Sequence, residues 1–192
     1  TRRAAPPPTP ERRRPGPRLV VAAIDPHRGQ AHRLGRPDVV EQALGGVQDA
    51  ILGDYAGIND PSATYLQAAQ SDDLTATVTG ALWWDRDRGA DQIPELVKRR
   101  FAYTFGRLSA TSIKIMQDGV AENFTAGMST PYLDGNGNET DNVGISMVDP
   151  EALCEYVTML DSLGFQVHVH AIGDRAVRET LDAFEAARSA NG

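Results

Sequence analysis

Cysteine is almost missing from this chain. Cys154 stands alone among 192 residues, so no intramolecular disulfide can form, and the composition is compatible with a reducing, cytoplasmic setting. It falls in "PEALCEYVTMLDSLG", a helical pattern in which a small packing residue is expected rather than a reactive thiol. No run of about 18 apolar residues occurs, so no membrane-crossing helix and no membrane partner are expected. The N-terminus lacks the apolar stretch of a secretory signal, and the chain begins at Thr1 rather than Met, which leaves room for an earlier segment. Two phosphate-binding patterns are also missing. No G-x-G-x-x-G follows the first predicted strand and no G-x-x-x-x-G-K-[ST] occurs anywhere, so dinucleotide and P-loop chemistry lack their cradle.

Positive charge is scarce outside the N-terminus. Residues 1–36 carry nine arginines against Glu11 and Asp25, a balance of +7, whereas residues 37–192 balance to −14. The basic, proline-rich arm over residues 1–38 contains no aromatic residue to stack on bases, and the acidic body repels phosphates, so no nucleic-acid partner is expected. Residues 1–17 have the composition of a disordered segment. Residues 39–192 form the predicted domain.

What is present in that domain is an alternation. A short strand is predicted at 18–24 and a short helix from residue 39. Strands follow at 47–52, 74–84, 111–119 and through "FQVHVHAIG" (165–173), rich in Val, Ile and Thr. Between them run helical patterns. "DPSATYLQAAQSDD" has Asp60 as N-cap and Pro61 at its first position, and residues 91–108 form an amphipathic pattern with Pro94 in the first turn. Residues 151–164 have Asp149 as N-cap and Gly164 as the C-terminal stop, and a last helix starts at Asp174. Repeated strand–helix units of this kind predict an α/β fold with a parallel sheet, either an open doubly wound sheet or a piece of a (β/α)₈ barrel.

Residues 120–148 break the rhythm, and a connection of that length without a helical pattern is often functional. Within it "DGNGNE" resembles the start of a calcium loop. That pattern needs Gly where Glu139 stands and Glu where Ile145 stands, so a tight turn is expected instead.

Sites in parallel α/β folds form at the C-terminal ends of strands. Three predicted strands end in polar or aromatic groups: Trp83, Trp84 and Asp85; then Lys114, Gln117 and Asp118; then His168, His170 and Asp174. Alternation along a strand sets Lys114 opposite Ile113 and Ile115, and sets His168 and His170 together opposite Val167 and Val169. A buried lysine needs a reason: a lowered pKa, or capture of CO₂ as a carbamate able to bridge metals. An edge-strand lysine reaching solvent is the bland alternative. The two histidines are either zinc ligands or hydrogen-bonded interior residues.

"SIKIMQDGVAENFTAGMSTPYLD" (112–134) and "GFQVHVHAIGDRAVRETLDAFEAA" (164–187), with "ALWWDRDRG" (81–89), together resemble amidohydrolase family 3. This branch of metal-dependent hydrolases includes N-substituted formamide deformylases and exoenzyme-regulatory proteins. The resemblance implies a partial (β/α)₈ TIM barrel, about strands two to five. It implies a divalent metal, zinc in one or two copies, held by His170 and a carboxylated Lys114, and a small-molecule amide substrate. His168, Asp118, Glu122, Trp84, Tyr132 and Asp174 would line the pocket or support the ligands. Such enzymes add an H-x-H pair on the first strand, a histidine on the sixth and an aspartate on the eighth. This chain has no other H-x-H and stops at Gly192, where the sixth strand is expected. The resemblance thus implies a middle fragment of a hydrolase of non-peptide C–N bonds, inactive alone and self-associating through exposed barrel edges. The rivals are a non-catalytic fragment or degenerate paralogue serving as an interaction module, and an unrelated barrel enzyme that uses Lys114 as a Schiff-base nucleophile.

Overall fold

The computed structural model describes residues 46–192. The arm, the strand at 18–24 and the helix from residue 39 fall outside the described residues. Within them the order is β1 (Gly46–Leu52), α1 (Ser62–Gln70), β2 (Thr77–Trp83), α2 (Ile93–Ala102), β3 (Leu108–Met116), α3 (Pro150–Ser162), β4 (Gln166–His170) and α4 (Asp174–Asn191). Short 3₁₀ turns occupy Gly89–Gln92 and Ala121–Asn123. No helix among the described residues is long and apolar enough to cross a membrane.

All strand pairs are parallel and lie side by side in chain order, β1-β2-β3-β4. A doubly wound sheet reverses its strand order and is covered by helices on both faces. Here the order never reverses. One face, carrying Leu82, Ile113, Ile115, Val167 and Val169, shares a single apolar core with Leu96 of α2, Leu153 and Val157 of α3 and Ala183 of α4. Tyr65 of α1 packs on the same core. Sequential winding with the helices on one side is the build of a partial (β/α)₈ barrel, and the four strands form part of its wall.

Local signals explain most boundaries. Asp149 caps α3 by accepting from the N–H groups of Glu151 and Ala152, and Pro150 fills the first position, where its missing N–H costs nothing. Gly164 ends the unit at φ +78, a conformation that suits glycine. The expected cap at Asp60 is displaced: Pro61 takes the N-cap position and the helix begins at Ser62, one residue later than expected, with Asp60 accepting from Ser62 N–H at 2.9 Å just outside it. The helix expected over 91–108 is shorter than its pattern. α2 stops at Ala102 because Phe105 and Leu108 pair with each other through a tight turn in which Gly106 takes φ +56, and Leu108 already begins β3. "DGNG" is the tight turn expected: Asp134 accepts from Asn136 and Asn138 N–H, closing the loop on itself.

Removing the α3 cap tests this assignment. Asp149→Ala should cost about 1 kcal/mol in urea denaturation, whereas an unchanged midpoint would mean that the cap contributes nothing.

Candidate functional site

The register places the chemistry. Ala81 and Trp83 of β2 lie beside Ser112 and Lys114 of β3, and Lys114 and Met116 lie beside His168 and His170 of β4. Partners in a parallel ladder share a face, so Trp83, Lys114 and His168 form one row across three strands, with Met116 and His170 one step further toward the strand ends. This face is opposite the helices and faces the barrel interior. Lys114, His168 and His170 are all buried there.

Lys114 Nζ lies 3.4 Å from His168 Nε2. Burial pulls the lysine from its ordinary 10.5 to about 8. Burial first, then the charge of Lys114 and of His170, pulls His168 from 6.5 to about 4. His168 is therefore a neutral ring at neutral pH, able to take a hydrogen bond from the amine through Nε2.

His170 is held differently. Its Nε2 lies 3.0 Å from the carbonyl oxygen of Gly119. A carbonyl only accepts, so Nε2 carries the hydrogen and donates it. Nδ1 then keeps its lone pair in the neutral ring, is buried, and has no hydrogen-bond partner among the described residues. A buried nitrogen lone pair without a partner is costly unless something else binds it. A ring fixed at one nitrogen by a carbonyl and open at the other is the usual arrangement of a metal-binding histidine.

The donor set suits part of a divalent-metal site: an imidazole with its tautomer fixed, a second neutral imidazole, and an amine able to become a carbamate. Among the described residues no group of three or more His, Cys, Asp or Glu gathers to hold a metal ion. A catalytic zinc commonly takes three protein ligands, more than these residues offer.

The other expected residues are dispersed. Asp118 is fully buried, and its carboxylate accepts from the N–H groups of Gly127, Ile172 and Gly173. Trp84 follows the alternation onto the helix side, where its ring lies 4.9 Å from that of Tyr156. Glu122 is exposed on the 3₁₀ turn after β3. Tyr132 is half-buried and donates its hydroxyl to Ala126 O. Asp174 is exposed at the start of α4 and accepts from the N–H and hydroxyl of Ser129, which tethers the long loop and holds the carboxyl below the usual range.

A cavity of about 350 Å³ opens at the C-terminal ends of β1 to β3, lined by Tyr55, Trp83, Trp84, Asp85, Met116 and Met147 among others. The rings of Tyr55 and Trp83 lie 4.5 Å apart on its wall. Tyr55 and Met147 carried no signal in the sequence, because each reaches the cavity from a connection rather than from a periodic element. Trp83 was legible as a strand-end aromatic and, unlike Trp84, shares the face of Lys114.

The long loop is fastened down. Gly127 and Gly173 approach so closely that a Cβ on Gly173 would sit 2.1 Å from the Gly127 oxygen. That oxygen accepts from Arg175 and Ala176 N–H at the start of α4.

Both pKa shifts carry the same sign for stability. Unfolding restores the ordinary values, so the unfolded chain binds more protons between about 8 and 10.5 at Lys114 and between about 4 and 6.5 at His168. Stability rises with pH across each window. The Lys114 contribution is fully present above 10.5 and is lost as pH falls through about 8, a change on the order of 3 kcal/mol. Urea denaturation of the metal-free chain from pH 7.5 to 10.5 should show this rise, and Lys114→Met should flatten it. Parallel profiles for the two proteins would refute a buried amine.

The model of the amidohydrolase family matches residues 38–192. Among curated relatives, the exoenzymes regulatory protein AepA of Pectobacterium carotovorum subsp. carotovorum is 34% identical over 110 residues, 57% of this chain and 22% of that protein. The protein LONG AFTER FAR-RED 3 of Arabidopsis thaliana is 35% identical over 80 residues, 42% of this chain and 13% of that protein. An uncharacterized metal-dependent hydrolase of Pyrococcus furiosus superposes with a TM-score of 0.59 at 25% identity, covering 79% of this chain and 29% of that one. A second, from Pyrococcus horikoshii OT3, superposes with a TM-score of 0.52 at 22% identity, over 73% of this chain and 26% of that one, a likeness of fold. The chain thus spans less than a third of each of these proteins.

Proposed function

The chain belongs to the amidohydrolase family, and from that premise we propose that the protein hydrolyses a non-peptide C–N bond, an amide or formamide, with a divalent metal held in part by this chain. The observation that carries the proposal is the inner face of β3 and β4, with Lys114, His168 and His170 buried together and Nδ1 of His170 without a partner among the described residues. The solved metal-dependent hydrolase from Pyrococcus furiosus supports it.

In this reading His170 is a ligand through Nδ1. Lys114 is the second ligand once its amine has added to CO₂, losing a proton and becoming a carbamate. Its lowered pKa favours that reaction, because only the neutral amine attacks. His168 supports the lysine nitrogen from the next strand. Zinc, when bound, polarises the scissile carbonyl and lowers the pKa of a water to near 7. The cavity beside Trp83 and Met116 receives the substrate and keeps water from its apolar part. Trp84 lines this pocket, Tyr132 and Asp174 bear on it through the loop over residues 120–148, and Glu122 is exposed on the turn at the start of that loop. A cytoplasmic setting fits the lone Cys154.

Two ligands do not complete a catalytic zinc site. The residues described therefore do not turn over substrate unaided, which also leaves room for a non-catalytic interaction module. The outer edges of β1 and β4 have no strand partner among the described residues, and unpaired edges favour self-association. Size-exclusion chromatography should show species larger than a monomer; a clean, stable monomer would count against that part.

Metal content tests the main reading. After dialysis against zinc, the chain should retain about one metal ion at this site, and His170→Ala should abolish retention. Equal retention by the variant would remove His170 from the site. A Schiff base on Lys114 has the same lowered pKa in its favour. Borohydride trapping with an aldehyde distinguishes it: no adduct at Lys114 leaves the metal reading alone.

A further inference from the structure

Asp118 has a burial that the proposed chemistry does not use. It is fully buried, one residue beyond Gln117, which donates its N–H to His170 O and so extends the β3–β4 pairing. A buried carboxylate is costly unless it is paired or hydrogen-bonded. Asp118 accepts from three main-chain N–H groups: Gly127 at 2.9 Å, Ile172 at 3.0 and 3.2 Å on its two oxygens, and Gly173 at 2.8 Å. None is a side-chain cation. Among the described residues, the only titratable group paired with it is His170, whose Nε2 lies 3.8 Å from Oδ1.

These partners surround His170. Ile172 and Gly173 are the second and third residues after it, so the carboxylate fixes the turn through which β4 leaves the sheet. Gly119, the residue after Asp118, supplies the carbonyl that accepts the His170 Nε2 hydrogen. The negative oxygen at 3.8 Å from Nε2 further favours the ring hydrogen on that side. Gly127 N–H ties the same carboxylate to the long loop, which is packed against Gly173. A single carboxylate thus joins the exits of β3 and β4 around one imidazole.

We propose that Asp118 is a positioning residue that sets the orientation and tautomer of His170, holding the hydrogen on Nε2 and leaving Nδ1 open. That Nδ1 then meets a metal rests on the reading above; the state of the ring does not.

The test is ¹⁵N spectroscopy of the full chain labelled at histidine, with zinc binding measured in parallel. Wild-type His170 should be the Nε2–H tautomer. In Asp118→Asn, whose NH₂ cannot accept from the three amides, His170 should populate the Nδ1–H tautomer while the His168 signals stay in place. Zinc affinity should fall about 10- to 100-fold, the range typical when the outer partner of a ligating histidine is lost. A variant that is less heat-stable but keeps the wild-type tautomer and zinc affinity would overturn the proposal, since a merely structural carboxylate predicts that result. If that variant does not fold, Asp118→Glu, which keeps the charge but displaces it, takes its place: a changed His170 tautomer balance upholds the proposal, and a wild-type spectrum overturns it. A chain that binds no zinc but shows the tautomer change upholds the positioning role and sinks the metal reading.

Discussion

The structure turns on an amine taken out of water. Lys114 sits fully buried in the middle of β3, in a row with Trp83 and His168, and no carboxylate forms an ion pair with it among the described residues. Burial of a bare ammonium without a counter-charge is expensive. The cost shows in the lowered pKa and in the neutral imidazole that is its near neighbour. A fold that keeps such a residue gains stability elsewhere. Here it does so on the opposite face of the same strands, where Ile113, Ile115, Val167 and Val169 are sealed by the helices. Each such side chain contributes roughly 1.5–3 kcal/mol by leaving water.

That division of labour between two faces of one sheet was legible in the sequence. The alternation in "SIKIM" and "QVHVH" assigns each residue to a face by spacing alone, and the parallel register brings the two assignments together, Lys114 beside His168. The caps at Asp149 and Gly164 were legible for the same reason: their causes lie within a turn of their own helix. What the sequence could not show depends on partners far along the chain. Asp118 is committed to amides 9, 54 and 55 residues away, and its burial cannot be read from its neighbours. Trp83 and Trp84 look equivalent in "ALWWD", and the register between β2 and β3 slips once between Thr79 and Ala81, so only the observed pairing tells which ring shares the face of Lys114. The pattern over 91–108 outran its helix because Phe105, which looks like the continuation of an apolar stripe, is exposed and pairs with Leu108 in the turn that opens β3.

The loop over residues 120–148 is held at both ends by the elements it connects. Gly127 lies against Gly173, Asp174 takes the N–H and hydroxyl of Ser129, and Gln117 and Ser146 both reach Glu179 on α4. These contacts fix the strand exits, and the strand exits fix the histidine. The proposed function rests on the same order of causes. A parallel sheet supplies an interior face, that face carries Lys114, His168 and His170, and the loop and Asp118 close around the exit of the strand that bears His170.

The most direct test is anomalous diffraction at the zinc edge from crystals of this chain grown with zinc. The account predicts a peak on the face of β3 and β4 that carries Lys114, within about 2.1 Å of His170 Nδ1 and with Nε2 still bonded to Gly119. A peak bonded to Nε2 of His170, or no peak on that face at all, would contradict it.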